Sequence, residues 1–225
     1  MVAKRTYVSP RREQAAAQTR ELILRAAIRL FAERGYGRVT VADIAAEAGV
    51  SAKTVFASAG SKGDILNEIV DAAVRDSGYE RAMSRALAQP DVESVLRAVA
   101  RGTRAGNEGQ FAVHQAIHKA LPSHEDGEAL WERATASYRD ALRDAAQHLH
   151  ALEGAETPES LEAPERLGGP PVPGRPVAET ADLLWFWFGP NSWRTLVTET
   201  GWTWDRAEEF LLGTALATLR ARARS

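Results

Sequence analysis

The 225-residue chain contains no cysteine, which excludes disulfides, thiolate metal sites and cysteine nucleophiles together. It also lacks any run of about 18 apolar residues, the length a membrane-spanning helix requires, and its opening "MVAKRTYVSPRREQ" has no apolar stretch of signal-peptide type. A cytoplasmic protein with no membrane partner is expected. Gly-rich phosphate loops, nucleophile elbows and a workable Ser/His/Asp order are missing too, so no catalysis is expected. What is present is an ordinary globular composition, 44% hydrophobic and 26% charged, with enough apolar side chains for a sizeable core.

The net charge of −2 conceals an asymmetry. Up to Lys62 the chain carries eleven basic and five acidic residues, net +6, whereas positions 63–225 carry seventeen and twenty-five, net −8. A basic head on an acidic body predicts that the head alone meets a polyanion.

Periodicity in the head is helical. In "TRELILRAAIRLFAERG", Leu22, Ile23, Ala26, Ala27, Leu30 and Phe31 recur on one face, and Gly35 ends the segment. Thr40 followed by Asp43 reads as an N-cap and its dipole partner, opening a short second helix that Gly49 stops. Ser51 caps a third helix two residues later. So tight a junction forces the two helices to cross steeply over small or apolar positions, here Ile44, Ala45, Ala48, Val50 and Val55: a helix-turn-helix. The outer face of the third helix offers Ala52, Lys53, Thr54, Phe56 and Ala57, without an acid, and suits a major groove. Ser61 and Asp64 cap a fourth helix, and Lys62 sits in its first turn, where the dipole disfavours a cation unless a phosphate is the partner.

Beyond Ala88 the pattern predicts a helix from about Asp91, another over "EGQFAVHQAIHKAL", and a long one with Leu130, Trp131, Ala134, Tyr138, Ala141, Leu142, Ala145 and Leu149 on its apolar face. A Pro/Gly/Glu-rich stretch at 152–177 reads as a mobile connector. Two closing segments, "ADLLWFWFGPNSWRTLVTE" with a break at Gly189 and Pro190, and "TWDRAEEFLLGTALATLRARA", are apolar on more than one face. Burial against a second copy would cover them.

His114 and His118 lie at i and i+4, the spacing of a zinc-protease pair, but Gln115 stands where the general-base Glu would be. A regulatory metal site with His124, a pocket wall and plain surface residues remain as readings of this pair; no metal or cofactor is assigned. Phe111, His114, His118, Trp131, Tyr138, Trp185 and Asn191 are candidate lining residues of an apolar ligand pocket, each equally readable as core or interface. His148 and His150, two apart on a helix, are expected to face solvent.

The segment "TRELILRAAIRLFAERGYGRVTVADIAAEAGVSAKTVFASAGSKGDILNEIV" strongly resembles the DNA-binding domain of the TetR family of transcriptional regulators, and "ADLLWFWFGPNSWRTLVTETGWTWDRAEEFLLGTAL" is similar to the last two helices of many members. The resemblance implies an all-α fold, with an N-terminal three-helix helix-turn-helix domain joined to a larger C-terminal helical ligand-binding and dimerisation domain. The boundaries expected are a flexible basic arm at 1–15, the DNA-binding domain at 16–62 and the C-terminal domain at 63–225. The resemblance further implies a homodimer that binds a palindromic double-stranded DNA operator, usually as a repressor, and releases it when a small-molecule effector enters the C-terminal domain. Thr40 would touch phosphate, Ser51, Ala52, Lys53, Thr54 and Phe56 would face the groove or its walls, and Lys62 would grip phosphate. Members commonly carry Tyr in place of Phe56 and aromatics in place of Ser58 and Ala59, so one phosphate-donating hydroxyl is lost here. A helical small-molecule- or metal-binding dimer with impaired DNA recognition is the alternative.

Overall fold

The computed structural model describes residues 10–155 and 175–221, and among them every regular element is helical. Helix α1 spans Pro10–Arg34, α2 Val41–Ala48, α3 Ala52–Ala59, α4 Lys62–Arg75, α5 Tyr79–Leu87, α6 Val92–Gly109 and α7 Phe111–Ala120. Then come α8 (Gly127–Ala155), α9 (Val177–Phe188), α10 (Pro190–Arg194) and α11 (Trp204–Ala221). Short 3-10 turns sit at Tyr36–Arg38 and Leu121–Ser123, and Thr195–Glu199 forms one turn of π-helix. The start of α1 precedes the periodic segment at Thr19. Pro10 is tolerated in a first turn, Glu13 complements the dipole there, and Ala15, Ala16 and Ala17 favour the helix, so residues 10–15 of the expected arm are helical. Residues 1–9, and most of the expected connector at 152–177, lie outside the described residues; at its edges the chain is helical as far as Ala155 and again from Val177.

Contacts divide the chain into two compact units, residues 1–76 with 110–134, and residues 77–109 with 135–225. The first is organised around α1, whose Ile23, Ala27, Leu30 and Phe31 are buried against Ile44 and Ala45 of α2, Val55 of α3 and Ile65, Leu66, Ile69 and Val70 of α4. Helix α7 adds Ala116, Ile117 and Ala120 to the same core. Lys119 of α7 donates from Nζ to the carbonyl of Ala32 at 2.5 Å, placing a cation on the negative end of α1.

In the second unit α6 packs between α5 and α11, and α9 packs on α11. Gly102 of α6 lets α5 come close: a Cβ there would lie 2.8 Å from the Ala82 side chain. Arg104 of α6 binds Glu208 at 2.9 Å and Asp205 at 2.6 Å on α11. Pro190 has no N–H to give the carbonyl of Phe186, which accepts the Ser192 hydroxyl instead. The Phe188 carbonyl beside the break accepts from the buried Tyr138 hydroxyl and from Trp193 Nε1 at 3.2 Å. A side-chain hydroxyl thus replaces the backbone bond that the proline removes, and two further side chains serve the carbonyl next to it.

His148 and His150 do not face solvent as expected. Both are half-buried; Nε2 of His148 pairs with the Gln89 carbonyl at 3.0 Å and Nε2 of His150 with the Arg175 carbonyl at 2.6 Å. Each ring meets a carbonyl outside a helix, whose oxygen has no helical donor.

Candidate nucleic-acid interface

The reading head is shaped by three N-caps in succession. Thr40 accepts from the Asp43 N–H at 3.2 Å, and its own N–H and hydroxyl donate to Asp43 Oδ2 at 2.8 and 2.6 Å. These bonds hold the Asp43 carboxyl below its ordinary range. The same capping box recurs at Ser61 and Asp64, where hydrogen bonds from the Ser61 hydroxyl and N–H hold Asp64 down in the same way. Between them Gly49 adopts the left-handed conformation, φ 69°, and Val50 N–H closes back on the Ala45 carbonyl at 2.9 Å. A side chain at residue 49 would be strained there whatever the space. The chain re-enters a helix at once, because Ser51 Oγ accepts from the Thr54 N–H at 3.1 Å.

Helix α3 buries Val55 and Ala59 and presents Ala52, Lys53, Phe56 and Ala57 to solvent. These four form two adjacent columns at i, i+4, Ala52 over Phe56 and Lys53 over Ala57. Ser51 and Thr54 stand at the helix start with their hydroxyls 2.8 Å apart. The structure therefore brings Ser51, Ala52, Lys53, Thr54 and Phe56 together on one helix and its N-cap, with Thr40 exposed at the start of α2.

Four acids on and beside this head are engaged within the first unit. Asp43 and Asp64 serve the caps, Glu47 pairs with Arg29, and Glu68 accepts from Arg20 Nε at 2.6 Å. An acid bound to a cation or to N–H donors repels phosphate less, which leaves the basic surplus to act. Arg20 also donates from Nη1 to the Ser58 carbonyl, linking α1 to both the end of α3 and the middle of α4. The charged pattern in α1 gave no hint of this clamp, since its partners are 38 and 48 residues away.

Lys62 faces inward. Its Nζ donates to the carbonyls of Tyr36 and Val39 at 2.9 and 3.0 Å and lies 4.1 Å from the centre of the Tyr36 ring. Burial, followed by the charge of Glu125, raises the Tyr36 phenol, which stays protonated beneath the ammonium. Lys62 therefore ties the turn that precedes α2 to the start of α4.

The seven proposed pocket residues fall into different cores. Phe111, His114, His118 and Trp131 belong to the first unit, Tyr138, Trp185 and Asn191 to the second. His114 is pushed down to about 4 by burial and is neutral at pH 7. No group of three His, Asp or Glu side chains suited to a metal occurs among the described residues. Within the second unit a cavity with about 280 Å³ of unfilled space, part of it open to solvent, is lined by Tyr79, Met83, Val99, Thr103, Tyr138 and Leu142 among others, so of the seven only Tyr138 reaches it. Tyr79 stacks on Tyr138 at 4.3 Å, and Tyr138 accepts from Asn107 Nδ2 at 3.1 Å. Trp185 instead meets Tyr138 edge-on and carries the Arg139 guanidinium 4.0 Å above its ring, while Asn191 is exposed.

Comparison with known proteins bears on the head and on the whole fold. Residues 23–69 match the family described as bacterial regulatory proteins, tetR family. Comparison with curated proteins finds no significant match. Among solved structures the chain is similar to the TetR family transcriptional regulator PfmR from Thermus thermophilus, 22% identical over 89% of this chain and 95% of that one, with a TM-score of 0.61. It is also similar to a putative transcriptional regulator from Saccharomonospora viridis in complex with choline, 19% identical over 87% and 94% of the two chains, TM-score 0.61. A third is the regulator FadR from Bacillus subtilis in complex with stearoyl-CoA, 16% identical over 87% and 96%, TM-score 0.62. At these identities the likeness is one of fold. No helix among the described residues is long and apolar enough to cross a membrane. Residues 23–69, the head with its capped helices and exposed α3 face, thus match the tetR family of bacterial regulatory proteins, and the fold of the whole chain is like that of solved TetR-family regulators.

Proposed function

We propose that the protein is a ligand-responsive repressor that binds a palindromic operator as a homodimer in the cytoplasm, with no catalytic step of its own. The observation that carries the DNA contact is the outer face of α3, acid-free and exposed at Ala52, Lys53, Phe56 and Ala57. In this reading residues 16–62 are the DNA-binding domain and 63–225 the ligand-binding and dimerisation domain. Thr40, Ser51, Ala52, Lys53, Thr54, Phe56 and Lys62 make the operator contacts or hold the elements that make them.

Two exposed rings favour a dimer through the last helices. Phe186 of α9 is 69% exposed and Phe210 of α11 is 49% exposed. Around Phe210, Gly213 and Ala217 are exposed at helical spacing, a face small enough for a second helix to approach. Two heads related by a dyad then meet two half-sites. The choline and stearoyl-CoA held by two structural relatives support a small-molecule effector here, working by favouring the dimer state that does not fit DNA.

The test is selection of bound fragments from random and genomic DNA by the purified protein, with a salt titration of the winning sequence. A palindromic site with a steep salt slope and a clear preference over random DNA is expected. Weak binding without sequence preference would refute the reading.

A further inference from the structure

The reading chemistry of α3 is unusual for its lack of polar reach. The helix "AKTVFASA" carries no Arg, Asn or Gln, the side chains that make paired hydrogen bonds to guanine or adenine in the major groove. The hydroxyls of its N-cap Ser51 and of the half-buried Thr54 are bonded to each other at 2.8 Å, Ser51 Oγ also accepts the Thr54 N–H, and the remaining hydroxyl, Ser58, is half-buried in the last turn. Lys53 is the single cation on that face. The dominant feature is instead Phe56, 56% exposed, more than any other large apolar side chain described in the first unit.

A phenyl ring has no donor for phosphate, for guanine O6 or for N7 of either purine. The apolar group in the major groove is the C5-methyl of thymine. Ala52 one turn before Phe56, and Ala57 beside it, are also exposed and short, so neither side chain would hold the ring away from the base edges. We propose that this protein reads its operator by apolar contact with thymine methyl groups, with Phe56 as the residue that makes the contact. The inference rests on α3 being the groove helix, and it goes further by naming the base and the atom group recognised.

The test uses the full-length protein and a duplex enriched by it from a random-sequence pool. The duplex is resynthesised with deoxyuridine in place of each thymidine in turn, which removes one methyl group and changes nothing else in the pairing. At one or two positions per half-site the affinity should fall about fourfold, the effect of losing one buried methyl. Phe56→Ala should bind the thymidine and deoxyuridine duplexes equally at those positions, and Phe56→Leu should still prefer thymidine. Phe56 is exposed, so neither variant disturbs the core. Equal affinity for every deoxyuridine duplex, or a methyl preference that survives in Phe56→Ala, would overturn the proposal while leaving the regulator intact. A pool from which no sequence is enriched would overturn the operator reading, and this inference with it.

Discussion

Arg20 Nε donates to Glu68 Oε1 at 2.6 Å, and the same guanidinium donates from Nη1 to the carbonyl of Ser58 at the end of α3. The other oxygen of Glu68 is buried without a hydrogen-bond partner among the described residues, so this carboxylate depends on Arg20. Arg20→Ala should cost about 1–2 kcal/mol in urea unfolding, since a partly buried charge loses its partner, and should weaken operator binding by loosening α3. Arg20→Lys should restore little, because the one nitrogen of lysine cannot occupy the two separate positions that Nε and Nη1 of the guanidinium hold. Unchanged stability in Arg20→Ala would show that the clamp does not hold the head.

Lys62 separates two roles that a binding curve alone would merge. With its ammonium on two carbonyls and over the Tyr36 ring, Lys62→Met should lower stability by about 1–2 kcal/mol. It should leave the slope of log affinity against log salt unchanged. A slope shallower by about 0.9 would show instead that the ammonium swings out to a phosphate.

His114 makes stability fall in mild acid. Its folded value of about 4 lies below the ordinary 6.5, so the unfolded chain takes up a proton first. The contribution is complete above about pH 6.5 and is lost as pH falls towards 4, reaching at most about 3 kcal/mol. Asp43, Asp64 and Asp91 act in the same direction but at lower pH, because their folded values lie below an ordinary 3.8. Urea unfolding of His114→Gln between pH 7 and pH 4.5 should therefore show a flatter pH profile than the parent protein; an equal profile would place the acid sensitivity elsewhere.

Phe186 and Phe210 should decide the oligomeric state. Phe186→Glu and Phe210→Glu put a charge on faces already open to water, so each monomer should keep its fold while the dimer dissociates in sedimentation equilibrium. Binding to a two-half-site duplex should then fall to that of a single half-site.

The reading head was legible because its signals close within four residues. Thr40 with Asp43, Ser51 with Thr54, Ser61 with Asp64, and Gly49 in the left-handed turn are bonds along one stretch of chain, and the structure places each where the spacing indicated. The break at Pro190 was legible for the same reason, as a missing N–H. The bonds that Tyr138 and Trp193 make to the Phe188 carbonyl beside it were not, since Tyr138 lies 50 residues from that carbonyl. The aromatic spacing in α7, α8 and α9 correctly marked helices with buried faces, yet it contained nothing to say that Trp131 and Tyr138, seven residues apart on α8, enter different cores.

From the sequence alone came the all-helical class, the helix-turn-helix, the acid-free face of α3 and the charge division between head and body. Local hydrogen bonding and helical period determine these, and both are written in neighbouring residues. Tertiary structure alone decided that Arg20 clamps Ser58 and Glu68, that Lys62 turns inward, and that His148 and His150 are held by carbonyls. Such choices depend on which distant backbone oxygen or carboxylate packing brings within about 3 Å, and no spacing along the chain encodes that approach.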